Sequence, residues 1–136
     1  MNDVELLARI IQCEAGGEGE DGMRAVASVV MNRVRQTGGE YGRYNTVNDV
    51  IFAPRQFECA TDQPQNLFNM RPEGVHYEIA RWAIDGGRLG DVYDSLWFFN
   101  PYSPVCRNNF PNDSGYFKTR IGNHCFYSPT SAYYNT

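Results

Sequence analysis

The segment LLARIIQCEAGGEGE, residues 6–20, contains an apolar helical pattern that ends beside an acidic side chain. At helical spacing, one face of this segment carries four residues: Leu7, Ile10, Ile11 and Glu14. Glu14 therefore occupies a position at which the pattern favours a hydrophobic residue. We expect apolar neighbours to shelter this side chain from water. The alternative is an amphipathic helix whose last Glu points to solvent.

Two glycines after the apolar run predict where this helix ends. Gly16 and Gly17 are typical of a helix stop, so Glu14 lies in the last turn. Apolar surroundings and the negative end of the helix dipole both disfavour the charged form of a carboxyl, so the pKa of Glu14 is expected to be raised. A glutamic acid that keeps its proton near neutral pH suits a general acid, and glycosidic bond cleavage requires one.

Periodicity and end signals predict four helices in the first two thirds of the chain. They cover residues 4–15, 20–35, 47–52 and 72–85. Asn2 or Asp3 is expected to cap the first helix, and Thr46 the third. We interpret His76 as a helix-surface residue and Trp82 as part of the core.

Two stretches between these helices lack a clear period. Residues 40–45 are interpreted as a loop, and residues 54–71 as a long loop or a short irregular helix. Long loops in small domains often carry function, so the second stretch is a candidate edge of a binding site.

The pattern changes to short strands after Gly90. Strands are predicted over residues 96–100, 118–121 and 123–127, the last two as a hairpin around Gly122. Residues 101–115 are interpreted as a surface loop, and the tail from Ser128 has no pattern and is expected to be partly ordered at best. Helices followed by a small antiparallel sheet predict an α+β fold with a cleft where the two parts meet.

Size and charge limit the possible functions. A chain of 136 residues is expected to form one domain spanning residues 1–136. The net charge of −4 argues against a nucleic acid partner, and no basic run suggests binding to a membrane surface. We see no signal peptide at the N-terminus and no apolar stretch long enough to cross a membrane.

Four blocks of the sequence resemble a known family. They are LLARIIQCEAGGEGEDGMRAVASVVMNRV, VIFAPRQFE, SLWFFNP and HCFY, and they occur in the same order in the SleB/CwlJ family of cell-wall hydrolases, the spore cortex-lytic enzymes of germination. SLWFFNP with a following Cys, and the ending HCFYSPT, are closer to the CwlJ branch. The resemblance implies a fold like those of lysozymes and lytic transglycosylases. It also implies peptidoglycan as partner and a location in the spore coat, the cortex or the extracytoplasmic cell wall.

The resemblance also implies a reaction. The catalytic glutamate of the family corresponds to Glu14, and the implied activity is a lytic transglycosylase that cuts the glycan strand between N-acetylmuramic acid and N-acetylglucosamine. The alternatives are a plain muramidase and an N-acetylmuramoyl-L-alanine amidase. A different class of function, a non-catalytic peptidoglycan-binding or spore-coat module, also stays open, and the sequence identifies no coat-protein partner.

Further site candidates come from the same blocks. Substrate-binding roles are predicted for eight residues: Glu18, Gln56, Phe57, Phe99, Asn100, His124, Phe126 and Tyr127. For each aromatic residue the alternative is core packing, and for Glu18 it is an exposed acid before the second helix. Glu58 is a third acidic candidate. Asn32 and Arg33 could orient the cleft, although a solvated helix face explains them equally well.

Metal and thiol chemistry are poorly supported. His76 and His124 are 48 residues apart and no HExxH motif is present, so we predict no catalytic metal site and no cofactor. A Cys–His peptidase would need Cys13 or Cys125 beside His124. Alternation along a strand points His124 and Cys125 to opposite faces.

The four cysteines allow three disulfide pairings, and the sequence alone does not select one. Cys106 and Cys125 occupy positions that resemble Cys positions of the CwlJ branch. Cys13 and Cys59 both stand where the family usually has small residues, which suggests that they bond to each other. The resemblance thus favours Cys13–Cys59 and Cys106–Cys125. The alternative is four reduced, partly buried thiols.

Overall fold

Six α-helices precede a three-stranded sheet in a computed structural model that describes residues 1–136. The helices are α1 Asp3–Ala15, α2 Gly19–Val34, α3 Val47–Ile51, α4 Glu58–Thr61, α5 Pro64–Asn69 and α6 Gly74–Ile84. The strands are β1 Trp97–Phe99, β2 Gly115–Ile121 and β3 His124–Pro129. Short 3-10 helices cover Glu40–Arg43, Pro111–Asp113 and Ser131–Asn135.

Side-chain caps begin two of the helices as predicted. The Asn2 Oδ1 accepts a hydrogen bond of 2.8 Å from the backbone N–H of Glu5, and the Thr46 Oγ1 accepts one of 3.0 Å from Asp49. Each cap satisfies a backbone donor that has no partner within its helix. The predicted helices at residues 4–15, 20–35 and 47–52 agree with α1, α2 and α3 to within one residue at each end.

The helices α1, α2 and α6 pack around the main core. Leu7, Ile10 and Ile11 of α1 are fully buried, as the spacing of the opening segment predicts. Phe126 of β3 joins the same cluster, so the sheet closes one side of the helical layer.

The sheet has the order β1-β3-β2 and is antiparallel throughout. Gly122 and Asn123 form the two-residue turn of the predicted β2–β3 hairpin. The central strand β3 is covered on both faces, because Phe126 packs on the helices while Cys125 and Tyr127 face the loop at residues 100–114. This burial of both faces explains why β3 shows no apolar and polar alternation.

The start of the last long helix was predicted wrongly. The helix α6 begins at Gly74, two residues after Pro72, and Glu73 caps it. His76 is only 5% exposed, so its assignment to the helix surface is also wrong. Its Nδ1 accepts a hydrogen bond of 2.9 Å from the Glu73 backbone N–H, which closes a capping box. The His76 imidazole is buried because it caps the backbone at the N-terminus of α6. Trp82 lies at the edge of the core, as expected.

Three regions are more ordered than predicted. Residues 54–71 contain α4 and α5, and residues 40–43 form a 3-10 helix. The C-terminal tail is firmly attached, because Tyr133 is fully buried. Its hydroxyl accepts a hydrogen bond from Tyr41 N–H at 2.9 Å and donates one to Gly38 O at 3.0 Å. One aromatic side chain thus anchors a segment that has no periodic pattern.

Both predicted disulfides are present. Cys13 is bonded to Cys59, and Cys106 to Cys125, which leaves no free cysteine. The first bond connects the end of α1 to α4, and the second connects the loop at residues 100–114 to β3. No helix in the structure has the length and apolar character needed to cross a membrane.

Candidate active site

A groove lies where the helical layer meets the sheet. Its first cavity has a volume of about 610 Å³, within the usual range for ligand sites. The end of α1, the start of α4 and the strand β1 line it together with the β2–β3 turn. The side chains that form its walls include Glu14, Glu18, Arg33, Gln56, Phe57, Glu58, Phe98, Phe99, Asn100 and His124.

Glu14 contributes a carboxyl to this cavity from the last turn of α1. Burial raises its pKa to about 7 from an ordinary value of 4.5, and the negative charge of Glu58 adds to the effect. The apolar face of α1 causes this burial, because the residue follows Ile10 and Ile11 at helical spacing. A carboxyl with this pKa is partly protonated at neutral pH and can donate and accept a proton.

The Cys13–Cys59 disulfide holds the two acidic side chains near each other. Cys13 directly precedes Glu14, and Cys59 directly follows Glu58. Both half-cystines line the first cavity, so the bond fixes the end of α1 against the start of α4. Sequence spacing did not reveal that Glu58 acts on the pKa of Glu14.

Glu18 and His124 lie next to each other in the first cavity. The Glu18 carboxylate accepts a hydrogen bond from the Asn123 backbone N–H at 3.2 Å, and its Oε1 lies 3.2 Å from His124 Nδ1. That contact is not a hydrogen bond, so His124 Nδ1 has no hydrogen-bond partner within the protein. Burial lowers the pKa of His124 below its ordinary value, and Glu18 opposes this shift. The imidazole is therefore neutral at neutral pH.

Gln56 is held by a polar network behind the groove. Its Oε1 accepts hydrogen bonds of 3.1 Å from Arg33 Nη1 and from the Tyr41 hydroxyl. Arg33 also donates from Nε to Leu96 O at 2.7 Å, which ties α2 to the start of β1. Asn32 donates hydrogen bonds of 2.9 Å to the carbonyl oxygens of Tyr93 and Ser95. These bonds also hold α2 to the segment that precedes β1.

Arg33 lines the groove and is buried, so its interpretation as part of a solvated helix face is wrong. It is only 4% exposed, and its guanidinium lies 4.4 Å from the centre of the Tyr41 ring. Burial lowers the pKa of Arg33, whereas Tyr41 and Glu40 raise it. A signal was available, because Arg33 follows Val26 by seven residues and Val30 by three on the apolar stripe of α2.

Two predicted site residues lie elsewhere. Phe126 and Tyr127 are fully buried and do not line the groove, so their prediction as cleft residues is wrong. Phe126 packs in the helical core, and the Tyr127 hydroxyl donates a hydrogen bond of 2.5 Å to Arg107 O. Core packing, the alternative for each aromatic residue, explains both.

A second cavity of about 660 Å³ continues the groove. It shares four lining residues with the first cavity: Arg33, Gln56, Phe98 and Phe99. The loop at residues 100–114 forms much of its wall, and Phe110 of this loop packs against Trp97 with the ring centres 4.7 Å apart and the planes tilted by 54°. The groove therefore extends beyond the cavity that contains Glu14.

The cysteines and the possible metal ligands limit the reactions that the groove could catalyse. Because all four cysteines are bonded in pairs, none can act as a nucleophile beside His124, and a Cys–His peptidase is excluded. No group of three or more His, Cys, Asp and Glu side chains lies close enough together to hold a metal ion.

Sequence comparison identifies the family. A model of the family described as Cell Wall Hydrolase matches residues 17–127, most of the chain. The chain belongs to the cell wall hydrolase family. This cell wall hydrolase is 35% identical over 129 residues to the cell wall hydrolase CwlJ of Bacillus subtilis, covering 95% of the chain and 87% of that protein. It is also 32% identical to the spore cortex-lytic enzyme of Oceanobacillus iheyensis, covering 92% of the chain but 41% of the relative.

Solved structures give the same result for the fold of the cell wall hydrolase. The catalytic domain of Bacillus cereus SleB superposes with a TM-score of 0.69 at 28% identity, covering 91% of this chain and 88% of that one. The catalytic domain of the germination-specific lytic transglycosylase SleB from Bacillus anthracis superposes with a TM-score of 0.70 at 28% identity, covering 93% of both chains. The predicted α+β fold and the family resemblance are thus confirmed.

Proposed function

We propose that this cell wall hydrolase is a lytic transglycosylase of peptidoglycan, with spore cortex as its preferred material and with residues 1–136 as one catalytic domain. The observation that carries the proposal is the Glu14 carboxyl, whose pKa of about 7 suits a group that must give and then take a proton. The relation to CwlJ and to SleB, whose Bacillus anthracis catalytic domain is described as a lytic transglycosylase, supports this reaction.

One carboxyl is sufficient for this chemistry. Protonated Glu14 donates its proton to the glycosidic oxygen as the bond from the muramic acid C1 to that oxygen breaks. The resulting carboxylate then removes the proton from the muramic acid C6 hydroxyl, whose oxygen bonds to C1 and closes a 1,6-anhydro ring. No water is consumed and the proton returns to Glu14. The reaction therefore does not require a second carboxylate that holds a nucleophile.

The other polar side chains of the groove have binding roles in this proposal. Asn100 and Gln56 offer amides to sugar hydroxyl and acetamido groups, and half-exposed Phe99 offers a ring face to a sugar. Glu18 keeps the neutral His124 imidazole directed at the substrate. Phe57 is 2% exposed and supports the wall of the cavity. The implied location is the spore coat or cortex, or the extracytoplasmic wall.

The variant Glu14→Gln tests the catalytic assignment. We expect about a hundred- to ten-thousandfold loss of peptidoglycan solubilisation, because the amide cannot transfer the proton. Binding to sacculi should persist. Glu78→Gln, an exposed change on α6, is the matched control and should behave as wild type. Unchanged lysis by Glu14→Gln would overturn the proposal.

Mass spectrometry of the digest separates the possible reactions. Anhydro-muropeptides are expected from transglycosylation. Reducing-end muramic acid would indicate a plain muramidase, and freed stem peptides with intact glycan would indicate an amidase. Binding to sacculi with no products from the wild-type chain would indicate a non-catalytic wall-binding module. Each of these last three outcomes contradicts the proposal.

A further inference from the structure

The two cavities of the groove differ in charge. The first is lined by the acidic residues Glu14, Glu18 and Glu58, with Arg33 at its border. The second is lined by Arg33 and Arg107 and by no acidic side chain. Both charged side chains of the second cavity are therefore positive, although the chain has 16 acidic and 12 basic residues. The groove is therefore negative where the proposed reaction occurs and positive beyond it.

Neither arginine of the second cavity has a carboxylate partner. The ion pairs of the protein join Arg9 to Glu5 and Arg24 to Glu20, and neither includes Arg33 or Arg107. Arg33 donates hydrogen bonds from Nε and Nη1 only, which leaves Nη2 without a protein acceptor. A guanidinium remains charged in proteins, and a buried charge is normally paired. Nη2 is not among the fully enclosed polar atoms of the protein, so it is accessible from the cavity and can donate a hydrogen bond to a ligand there.

The surroundings position both arginines for such a ligand. Arg33 is held between the rings of Tyr41 and Phe57, at 4.4 and 5.2 Å. The backbone of Arg107 is fixed by the hydrogen bond from Tyr127, and the adjacent Cys106 is bonded to Cys125. Aromatic walls formed by Trp97, Phe98 and Phe110 reduce screening by water, which strengthens contacts between charges.

We propose that the second cavity binds a carboxylate-bearing arm of the substrate, the stem peptide attached to muramic acid, through Arg33 and Arg107. The proposal rests on the proposed function, because it takes peptidoglycan as the ligand. Sugars then occupy the first cavity beside Glu14, while the acidic arm extends past Arg33 into the second. Arginine matches a carboxylate because its N–H groups form a planar fork.

The binding test uses one muropeptide in two forms. The first form is a disaccharide with its stem peptide and free carboxylates, and in the second the carboxylates are converted to primary amides. Both are titrated by calorimetry into Glu14→Gln, so no turnover interferes. We expect the acidic form to bind about tenfold more tightly, the effect of one or two charge-assisted hydrogen bonds.

The variant Arg107→Gln should remove most of this preference. Because Arg107 is exposed, the change should not disturb folding, and affinity for the acidic form should fall about five- to tenfold while affinity for the amidated form is unchanged. Arg43→Gln is the matched control, since Arg43 is exposed and outside both cavities, and it should keep the preference. Arg33→Lys retains a charge without the fork and should weaken binding of the acidic form where circular dichroism shows a native fold.

Several outcomes would overturn the proposal. They are equal affinity of Glu14→Gln for the two muropeptides, an equal loss for both in Arg107→Gln, or an acidic peptide without sugar binding as tightly as the muropeptide. The last would indicate an acidic protein segment as ligand. Since binding is measured without turnover, failure of the catalytic proposal would appear as lysis by Glu14→Gln and would leave this comparison intact.

Discussion

At the scale of single residues, the raised pKa of Glu14 results from the placement of an acidic side chain at an apolar position of α1. Helical spacing directs the carboxyl to the apolar side of α1, and burial makes the charged form costly. Glu58 adds a like charge nearby. The surroundings of Glu18 differ, because the Asn123 backbone N–H donates a hydrogen bond to its carboxylate. Two acidic residues four positions apart therefore have different surroundings.

The first prediction concerns the pH dependence of activity. Since Glu14 must start protonated, kcat/KM for peptidoglycan should decline as the pH rises through about 7. Glu58→Gln removes a charge that raises the pKa of Glu14, so this alkaline limb should move to lower pH. Glu78→Gln should leave the limb in place. An alkaline limb that stays unchanged in Glu58→Gln would contradict the assigned coupling. Turbidity assays across pH provide the measurement.

The second prediction links the same group to stability. Between pH 4.5 and about 7, folded Glu14 holds a proton that the unfolded chain has lost. The free energy of unfolding therefore falls as pH rises across this window, by on the order of 3 kcal/mol at most. Glu14→Gln lacks this penalty, so it should equal wild type in stability below pH 4.5 and exceed it above about 7.

Urea denaturation of both chains at acidic and alkaline pH measures this difference. Glu78→Gln serves as the control, because its carboxyl is exposed on α6. A stability difference between Glu14→Gln and wild type that does not vary with pH would show that Glu14 is ionised normally.

At the scale of elements, the β2–β3 hairpin carries one half of the groove. Its turn presents the Asn123 N–H to Glu18, and the first residue of β3 is His124. Gly122 has a φ of 58°, and a Cβ there would lie 2.7 Å from Glu18 Oε2. The turn therefore needs glycine both for its backbone conformation and for the close approach of Glu18.

The third prediction is the effect of Gly122→Ala. The left-handed conformation should cost about 1–2 kcal/mol of folding free energy with any L side chain, and the new methyl should displace Glu18. Gly90→Ala is the control, because Gly90 has no neighbour within 4 Å of an added Cβ. Urea denaturation should show a loss of stability for Gly122→Ala alone. Equal stabilities of the two variants would show that the turn tolerates a side chain.

At the scale of the whole molecule, two disulfides hold the walls of the groove to the core. Cys13–Cys59 closes 46 residues between α1 and α4, and Cys106–Cys125 closes 19 residues between the long loop and β3. Each bond restricts the unfolded chain, and each also fixes one cavity. The groove thus depends on covalent links as well as on packing.

The fourth prediction concerns the removal of these bonds. Replacing Cys13 and Cys59 by Ala should lower the free energy of unfolding by about 4 kcal/mol, and replacing Cys106 and Cys125 by about 3 kcal/mol, since the longer loop loses more entropy. Denaturation with and without a reducing agent measures both effects, and in each double variant the reducing agent should act only through the remaining bond. Identical Tm values for oxidised and reduced wild-type protein would contradict the prediction.

Local patterns in the sequence were sufficient to predict several elements of the fold and the surroundings of Glu14. Apolar spacing and paired glycines predicted α1 and the sheltered position of Glu14, and Gly122 predicted the hairpin. The Thr46 cap was also predicted, and the cap of α1 is Asn2, one of the two predicted candidates, because a cap involves residues only a few positions apart. Such features depend on neighbours along the chain, and the sequence shows these directly.

Only the tertiary structure decided which side chains the rest of the chain covers. Arg33 meets Leu96 across 63 positions, Tyr133 reaches Tyr41 across 92, and Glu18 reaches Asn123 across 105. Phe126 was predicted for the cleft and lies in the core, because the packing of β3 on the helices sets the direction of each side chain. The sequence alone determined the helices α1, α2 and α3, the β2–β3 hairpin and the position of Glu14 in the last turn of α1. The groove and its division by charge arise from long-range packing, which no local period encodes.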